Sequence, residues 1–312
     1  MSAIFVEGLT KRFGQLTAVD SLTFTIRKGE VFGILGPNGA GKTTTVRMLV
    51  CILKPTHGSA TIAGYDILKE PEKVKKIIGY LPENPSLYER LSAVENLDFY
   101  AELYEIPRNV RIRKIKELLE FFNLSNRKNE KVGTYSKGMK QKLALARALI
   151  NDPEILFLDE PTSGLDPKVA KTVRDLISKL AKKEKRTIVL CSHNLAEVEK
   201  LCNRVMIINR GKMVDIGTVD ELAKTLRDRS RCIVKVKLEE VSKRIIKELQ
   251  KINYVKSIRV SGNSFLVELE DEDLIPEFAK EVTKVGRLIS LNPLKPTLEE
   301  VYLGLVEKDE NK

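Results

Sequence analysis

Tryptophan is absent from the 312 residues, histidine occurs twice and cysteine four times. The cysteines, Cys51, Cys191, Cys202 and Cys232, form no C-x-x-C pair. A structural zinc site is therefore not expected, and the thiols read as buried and reduced. No apolar run approaches the ~18 residues that suggest a membrane span. No charged-then-apolar signal pattern opens the chain, and Ser2 stands where N-myristoylation takes glycine. If the protein works at a membrane, another chain is expected to supply the spans. Internal repeats and low-complexity tracts are also missing.

What is present is basic. The net charge is +11, with 39 basic and 28 acidic residues in residues 1–230 against 15 of each beyond. Such an excess suits anionic partners: nucleotide, nucleic acid or an inner membrane surface. Solvated surface lysine is the plainer reading, and charge alone does not choose between them.

The chain is organised around Gly36-Pro37-Asn38-Gly39-Ala40-Gly41-Lys42-Thr43-Thr44. Gly36, Gly41, Lys42 and Thr43 fit the phosphate loop G-x-x-x-x-G-K-[ST]. The apolar run Val31–Leu35 before it reads as a buried strand, and Val46, Leu49 and Val50 continue at helical spacing. Backbone amides of such a loop hold anionic oxygens, and the helix N-terminus adds positive potential. Lys42 is expected to reach the β- and γ-phosphates, and Thr43 to place its hydroxyl on Mg²⁺.

Strands are expected at 3–7 and 22–26, with Lys11-Arg12-Phe13-Gly14 between them. Phe13 could stack on a nucleobase, although a lone phenylalanine is more often core. Residues 59–63 and 77–81 read as strands, with His57 as a turn residue. Helices near 92–104 and 108–123 follow, the second with Ile112, Ile115, Leu118, Leu119 and Phe122 on one face. With residues 134–150 they read as a helical subdomain, about 85–150, inserted into an alternating α/β pattern. Ile155–Leu158 ends in Asp159-Glu160, a buried parallel strand with carboxylates at its C-terminal tip, where α/β sheets bind ligands. Strand alternation would point those two side chains apart unless the strand stops there. After a turn at 163–167 come a helix to about 183, a buried strand at 187–191 with Ser192-His193 at its tip, and strands at 204–208 and 212–216. A boundary is expected near 229–231. Beyond it the order β-α-β-β-α-β is ferredoxin-like, closed by a short helix at 297–306. The division is thus 1–230 and 231–312.

Phosphate loop, Tyr135-Ser136-Lys137-Gly138-Met139, Leu158-Asp159-Glu160-Pro161, Ser163-Gly164-Leu165-Asp166 and His193 stand in one order. Over about residues 3–228 this resembles the ATP-binding subunits of ABC transporters. The implied fold is an α/β P-loop NTPase of ABC type: a mixed sheet core with N-terminal antiparallel strands and an inserted helical subdomain. A small α+β ferredoxin-like C-terminal domain follows it. The resemblance implies ATP and Mg²⁺ as ligands. Phe13 would stack on adenine, and residues Gly36 to Thr44 would hold the phosphates. Asp159 would position Mg²⁺ with Thr43, Glu160 would polarise the attacking water, and His193 would contact the γ-phosphate. Ser136 and Gly138 would meet ATP held by a second nucleotide-binding subunit, a copy or a paralogue. Asp166 would lie in the loop linking the two sites. Glu83 stands where the family usually has a metal-touching glutamine, and Lys137 and Met139 depart from the signature L-S-G-G-Q. The Tyr-Ser-Lys-Gly-Met form and the tail Pro296-Thr297-Leu298-Glu299-Glu300-Val301-Tyr302 resemble the daunorubicin-resistance and sodium-extrusion branch, which implies export.

The expected role is therefore a peripheral ATPase on the cytoplasmic face of the membrane, driving separate permease subunits. A soluble ABC ATPase acting on nucleic acid or ribosomes is the alternative from another class. That class usually has paired nucleotide domains, a long coiled coil or zinc cysteines, and none is seen here, so no nucleic acid is expected. An importer ATPase with a ligand-sensing C-terminal domain is a third reading.

Overall fold

The computed structural model describes residues 2–225, 232–294 and 297–310. The boundary expected at 229–231 and Pro296 of the tail motif fall outside them. Two compact units emerge, one to Thr218 and one from Val219.

In the first unit, β1 (Ser2–Phe13) and β2 (Leu16–Arg27) form a long hairpin. β3 (Val31–Leu35) leads into the phosphate loop and α1 (Lys42–Leu49). Next come β4 (His57–Ile62), β5 (Tyr65–Asp66), α2 (Pro71–Ile77) and β6 (Ile78–Leu81). The helical stretch is α3 (Ala93–Leu103), α4 (Arg108–Phe121) and α5 (Lys137–Ala148). It is followed by β7 (Ile155–Asp159), α6 (Pro167–Glu184), β8 (Thr187–Ser192), α7 (Leu195–Leu201), β9 (Arg204–Asn209) and β10 (Lys212–Gly217). One sheet is antiparallel, ordered β2-β1-β4-β5. The other is mixed, ordered β10-β9-β3-β8-β7-β6, with only β10 antiparallel.

The continuous apolar runs of β7 and β8 are explained by two cores, one on each face of this sheet. Ile155, Phe157, Val189 and Cys191 join the core shared with the antiparallel sheet and α1. Leu156, Leu158, Ile188 and Leu190 face the core built by α3 to α6. Period-two alternation sends successive residues to opposite sides, so every position of both strands is apolar except Thr187, whose hydroxyl accepts from the Gly29 N–H, and the tips Asp159 and Ser192.

The second unit holds α8 (Val219–Thr225), β11 (Cys232–Leu238), α9 (Lys243–Gln250), β12 (Val255–Ser261), β13 (Ser264–Leu269), α10 (Ile275–Val285), β14 (Leu288–Leu294) and α11 (Leu298–Glu310). Its sheet runs β12-β13-β11-β14 with every pairing antiparallel. That is the ferredoxin-like order. Val234, Val236, Phe265, Val267, Phe278 and Val282 fill the core between the strands and α9 and α10.

Four local expectations are corrected. Ile112 is 59% exposed, because the buried stripe of α4 is narrow and centres on Ile115, Leu118 and Leu119. His57 opens β4, paired with Thr10, where a turn was expected. Only Cys191 is buried; Cys51, Cys202 and Cys232 are half-buried, and none of the four is disulfide-bonded. The short α2, α7 and α8 were not anticipated, since seven residues show barely two turns of periodicity.

Candidate functional site

The sheet order decides which motifs meet. β8 lies between β3 and β7, so the three C-terminal tips span about 10 Å at the usual strand spacing. Register aligns them: Leu35 pairs with Ser192 and Asp159 with Cys191. The phosphate loop, Asp159-Glu160 and His193 therefore share one sheet edge, although they are far apart in sequence.

In the loop, Gly41 has φ 104, and a Cβ there would stand 2.6 Å from the Ala18 carbonyl oxygen. The turn into α1 thus excludes a side chain. Lys42 is 7% exposed. Its Nζ donates to the carbonyls of Gly36 (2.7 Å) and Pro37 (3.0 Å), closing the loop on itself. Pro37, Asn38 and Gly39 are exposed or line the rim, while Ala40 is buried. Thr44, next after Thr43, lies in the first turn of α1.

Asp159 is fully buried. Its Oδ1 accepts from Thr43 Oγ1 at 3.2 Å, and its Oδ2 has no hydrogen-bond partner. Burial pushes its carboxyl above the usual range, Thr43 opposes this, and the charges of Glu160 and Glu83 add to it. An orphaned buried carboxylate oxygen beside a hydroxyl suits a hard cation. Among the described residues no cluster of three acids, histidines or cysteines could hold a metal by itself. The donor set fits Mg²⁺, which keeps water and phosphate oxygens among its ligands. Glu83, two residues beyond β6, is exposed and near enough for its charge to act on Asp159.

β7 stops at Asp159, so alternation does not set the direction of Glu160. That residue has φ 51, an uncommon left-handed conformation outside glycine. Its Oε1 accepts from the His193 backbone N–H at 3.0 Å and lies 2.8 Å from His193 Nδ1. Sequence reasoning assigned these two residues separate tasks; here they are a hydrogen-bonded pair. Phe13 ends β1 and is 49% exposed, with Lys11 Nζ 5.1 Å from its ring centroid.

Among the described residues, Ser136 and Gly138 make no hydrogen bond to the phosphate loop, Asp159, Glu160 or His193. Ser136 caps α5, accepting from the Met139 N–H, and Asp166 caps α6 through the Lys168 and Val169 N–H groups. A Cβ on Gly138 would stand 2.5 Å from Val169 Cγ1. This glycine therefore also lets α5 and α6 pack closely. Overpacking costs about 1–3 kcal/mol, and alanine returns about 1 kcal/mol of helix propensity. Gly138→Ala is expected to lower the melting temperature of the parent chain. In a Val169→Ala background the same change should be neutral or stabilising. Equal effects in both backgrounds would remove the packing role.

Two residues of the site were missed from sequence. Buried Gln141 donates from Nε2 to the Pro161 carbonyl at 2.8 Å, tying α5 to the loop after Glu160. Buried Glu197 accepts from Thr162 and Ser192. Burial raises the Glu197 carboxyl above its usual range, and the two hydroxyls oppose this. Each is a single polar residue whose burial depends on partners 20 or 35 positions away, so no local sequence signal marked it.

A family model described as ABC transporter matches residues 19–163. A second, for the C-terminal domain of DrrA1-3-like ATP-binding proteins, matches residues 217–306. The linearmycin resistance ATP-binding protein LnrL of Bacillus subtilis is 33% identical over 96% of this chain and 96% of its own length. The daunorubicin resistance ATP-binding protein DrrA3 of Streptomyces coeruleorubidus is 33% identical, over 99% and 97%. Among solved structures, an ATP-binding subunit of an ABC transporter superposes with a TM-score of 0.66 at 31% identity, covering 73% of this chain and 95% of the other. A dimeric ATP-binding cassette bound to ADP and Pi gives 0.63 at 26% identity, covering 69% and 98%.

Proposed function

Because this chain belongs to the ATP-binding subunits of ABC transporters, of the drug- and antibiotic-exporter type, we propose that it hydrolyses ATP to export a compound through separate membrane permease subunits. Resistance to linearmycin and daunorubicin, and transport of bacitracin, in the relatives' names favour antibiotic-like cargo. The position proposed with those subunits is peripheral, on the cytoplasmic face; no helix among the described residues is long and apolar enough to cross a membrane. The division of labour would follow 1–230 for nucleotide and 231–312 as an accessory domain. The compact units part earlier, at Thr218, because α8 packs with α11 of the second unit.

The carrying observation is the meeting of three motifs at adjacent strand tips, with one orphaned Asp159 oxygen and a Glu160–His193 pair. Phosphoryl transfer needs positioning and charge neutralisation more than covalent chemistry. Phe13 offers an exposed face to the base. The amides from Gly36 to Thr44 and the Lys42 ammonium cradle the phosphates. Thr43 and Asp159, with Glu83 at the rim, would hold Mg²⁺, which when bound neutralises charge on the phosphate oxygens. Glu160 orients water and takes up its proton, and His193 keeps Glu160 in place and meets the γ-phosphate. Ser136 and Gly138 serve the nucleotide of a second subunit.

Assembly tests this reading. Glu160→Gln is expected to sediment as a dimer with ATP and Mg²⁺, and as a monomer without them. A species that stays monomeric at saturating ATP would count against the shared site.

A further inference from the structure

Glu197 is buried, 2% exposed, on α7, and none of the roles above uses it. Both of its carboxylate oxygens accept from Thr162 Oγ1, at 2.9 and 3.0 Å. Its Oε2 also accepts from Ser192 Oγ at 3.0 Å. The Ser192 hydroxyl in turn accepts from the Asn194 N–H, and the Asn194 side chain accepts from the Glu197 N–H. Thr162 lies two residues after Glu160, and Ser192 immediately precedes His193. One carboxylate thus joins the loop that carries one member of the Glu160–His193 pair to the strand end that carries the other.

A buried carboxylate costs several kcal/mol unless hydrogen bonds offset it, and an apolar side chain would fill the space without that cost. Its directional bonds fix two backbones relative to each other, which apolar packing does less sharply. The need for fixing is local. Glu160 sits in left-handed backbone geometry, and the His193 side chain is 55% exposed.

We propose that Glu197 is a positioning residue: its carboxylate clamps Thr162 to Ser192 and thereby sets the Glu160–His193 pair for hydrolysis. This rests on the reading that Glu160 and His193 act on ATP. Glu197 touches neither of them through a hydrogen bond, so its effect passes through Thr162 and Ser192.

The test uses the full chain with Glu197→Gln, Thr162→Val, Thr162→Ser and Glu160→Gln. Displacing reacting groups by about an ångström can cost on the order of 100-fold. Glu197→Gln and Thr162→Val are expected to lower kcat by roughly 10- to 100-fold, with KM and nucleotide affinity close to the parent. Thr162→Ser keeps the hydroxyl and is expected to keep the parent rate. A second readout needs no nucleotide. The chain has two histidines, so ¹⁵N-histidine NMR, assigned with His57→Gln, reports His193 directly. Its imidazole signals are expected to shift in Glu197→Gln and Thr162→Val, and to stay in place in Thr162→Ser.

Parent kcat in a folded Glu197→Gln would overturn the proposal, as would a fall in kcat with unmoved His193 signals. If Glu197→Gln does not fold, the Thr162 pair decides: equal rates for valine and serine overturn it. Glu160→Gln separates the two levels. If it stalls hydrolysis while Glu197→Gln does not, only the clamp fails. If it turns over like the parent, the catalytic reading itself fails.

Discussion

Glu160→Gln is expected to bind ATP with near-parental affinity and to hydrolyse it about 100-fold more slowly or worse, the scale of general-base loss. Glutamine keeps the size of the side chain and an oxygen that can still accept from the His193 N–H, now at 3.0 Å. What it removes is the negative charge that favours taking a proton from water. Glu160 is 8% exposed, so a water held beside it has few competing solvent groups to serve as base. In the proposed site the phosphate cradle is made by other residues, which is why affinity should survive. Fluorescent-nucleotide titration and phosphate release measure the two quantities separately. Turnover at the parent rate would place the base elsewhere, and Glu83 would be the first acid to replace.

Lys42→Ala differs in kind: nucleotide affinity itself is expected to fall by roughly 10- to 100-fold, since a charged hydrogen bond contributes about 1.5–3 kcal/mol. Its ammonium now bonds the carbonyls of Gly36 and Pro37. In the proposed role the ammonium would turn from those carbonyls to phosphate, so the variant is expected to lose a phosphate contact and also the bonds that close the loop on itself. Calorimetric titration with a non-hydrolysable ATP analogue measures the loss. Retained affinity with lost turnover would mean that Lys42 acts only on the transition state.

The local elements of the site were legible because they are written in contiguous residues. A strand-loop-helix pattern surrounds Gly36 to Thr44, and an apolar run ends in Asp159-Glu160. Each is a short-range rule of backbone geometry, and β3, α1 and β7 follow it. The C-terminal order of strands and helices was readable for the same reason, down to the turn between β12 and β13.

Amphipathic spacing is a weaker guide at element ends. Ile112 keeps helical phase with Ile115 and Leu119, yet it lies a turn outside the packed stripe of α4. Phase tells which way a residue points, and only the neighbouring elements determine whether anything covers it.

The amino-acid sequence by itself determined the phosphate loop, the acid-tipped strand, the signature segment and the ferredoxin-like order of the C-terminal half, because each depends on residues within a few positions of one another. Tertiary structure alone decided three further features. The strand order β3-β8-β7 brings the motifs to one edge. Glu160 pairs with His193 across 33 positions, and Glu197 pairs with Thr162 across 35. Such contacts depend on which strands become neighbours and on the loop closures that folding pays for, and no local pattern encodes them.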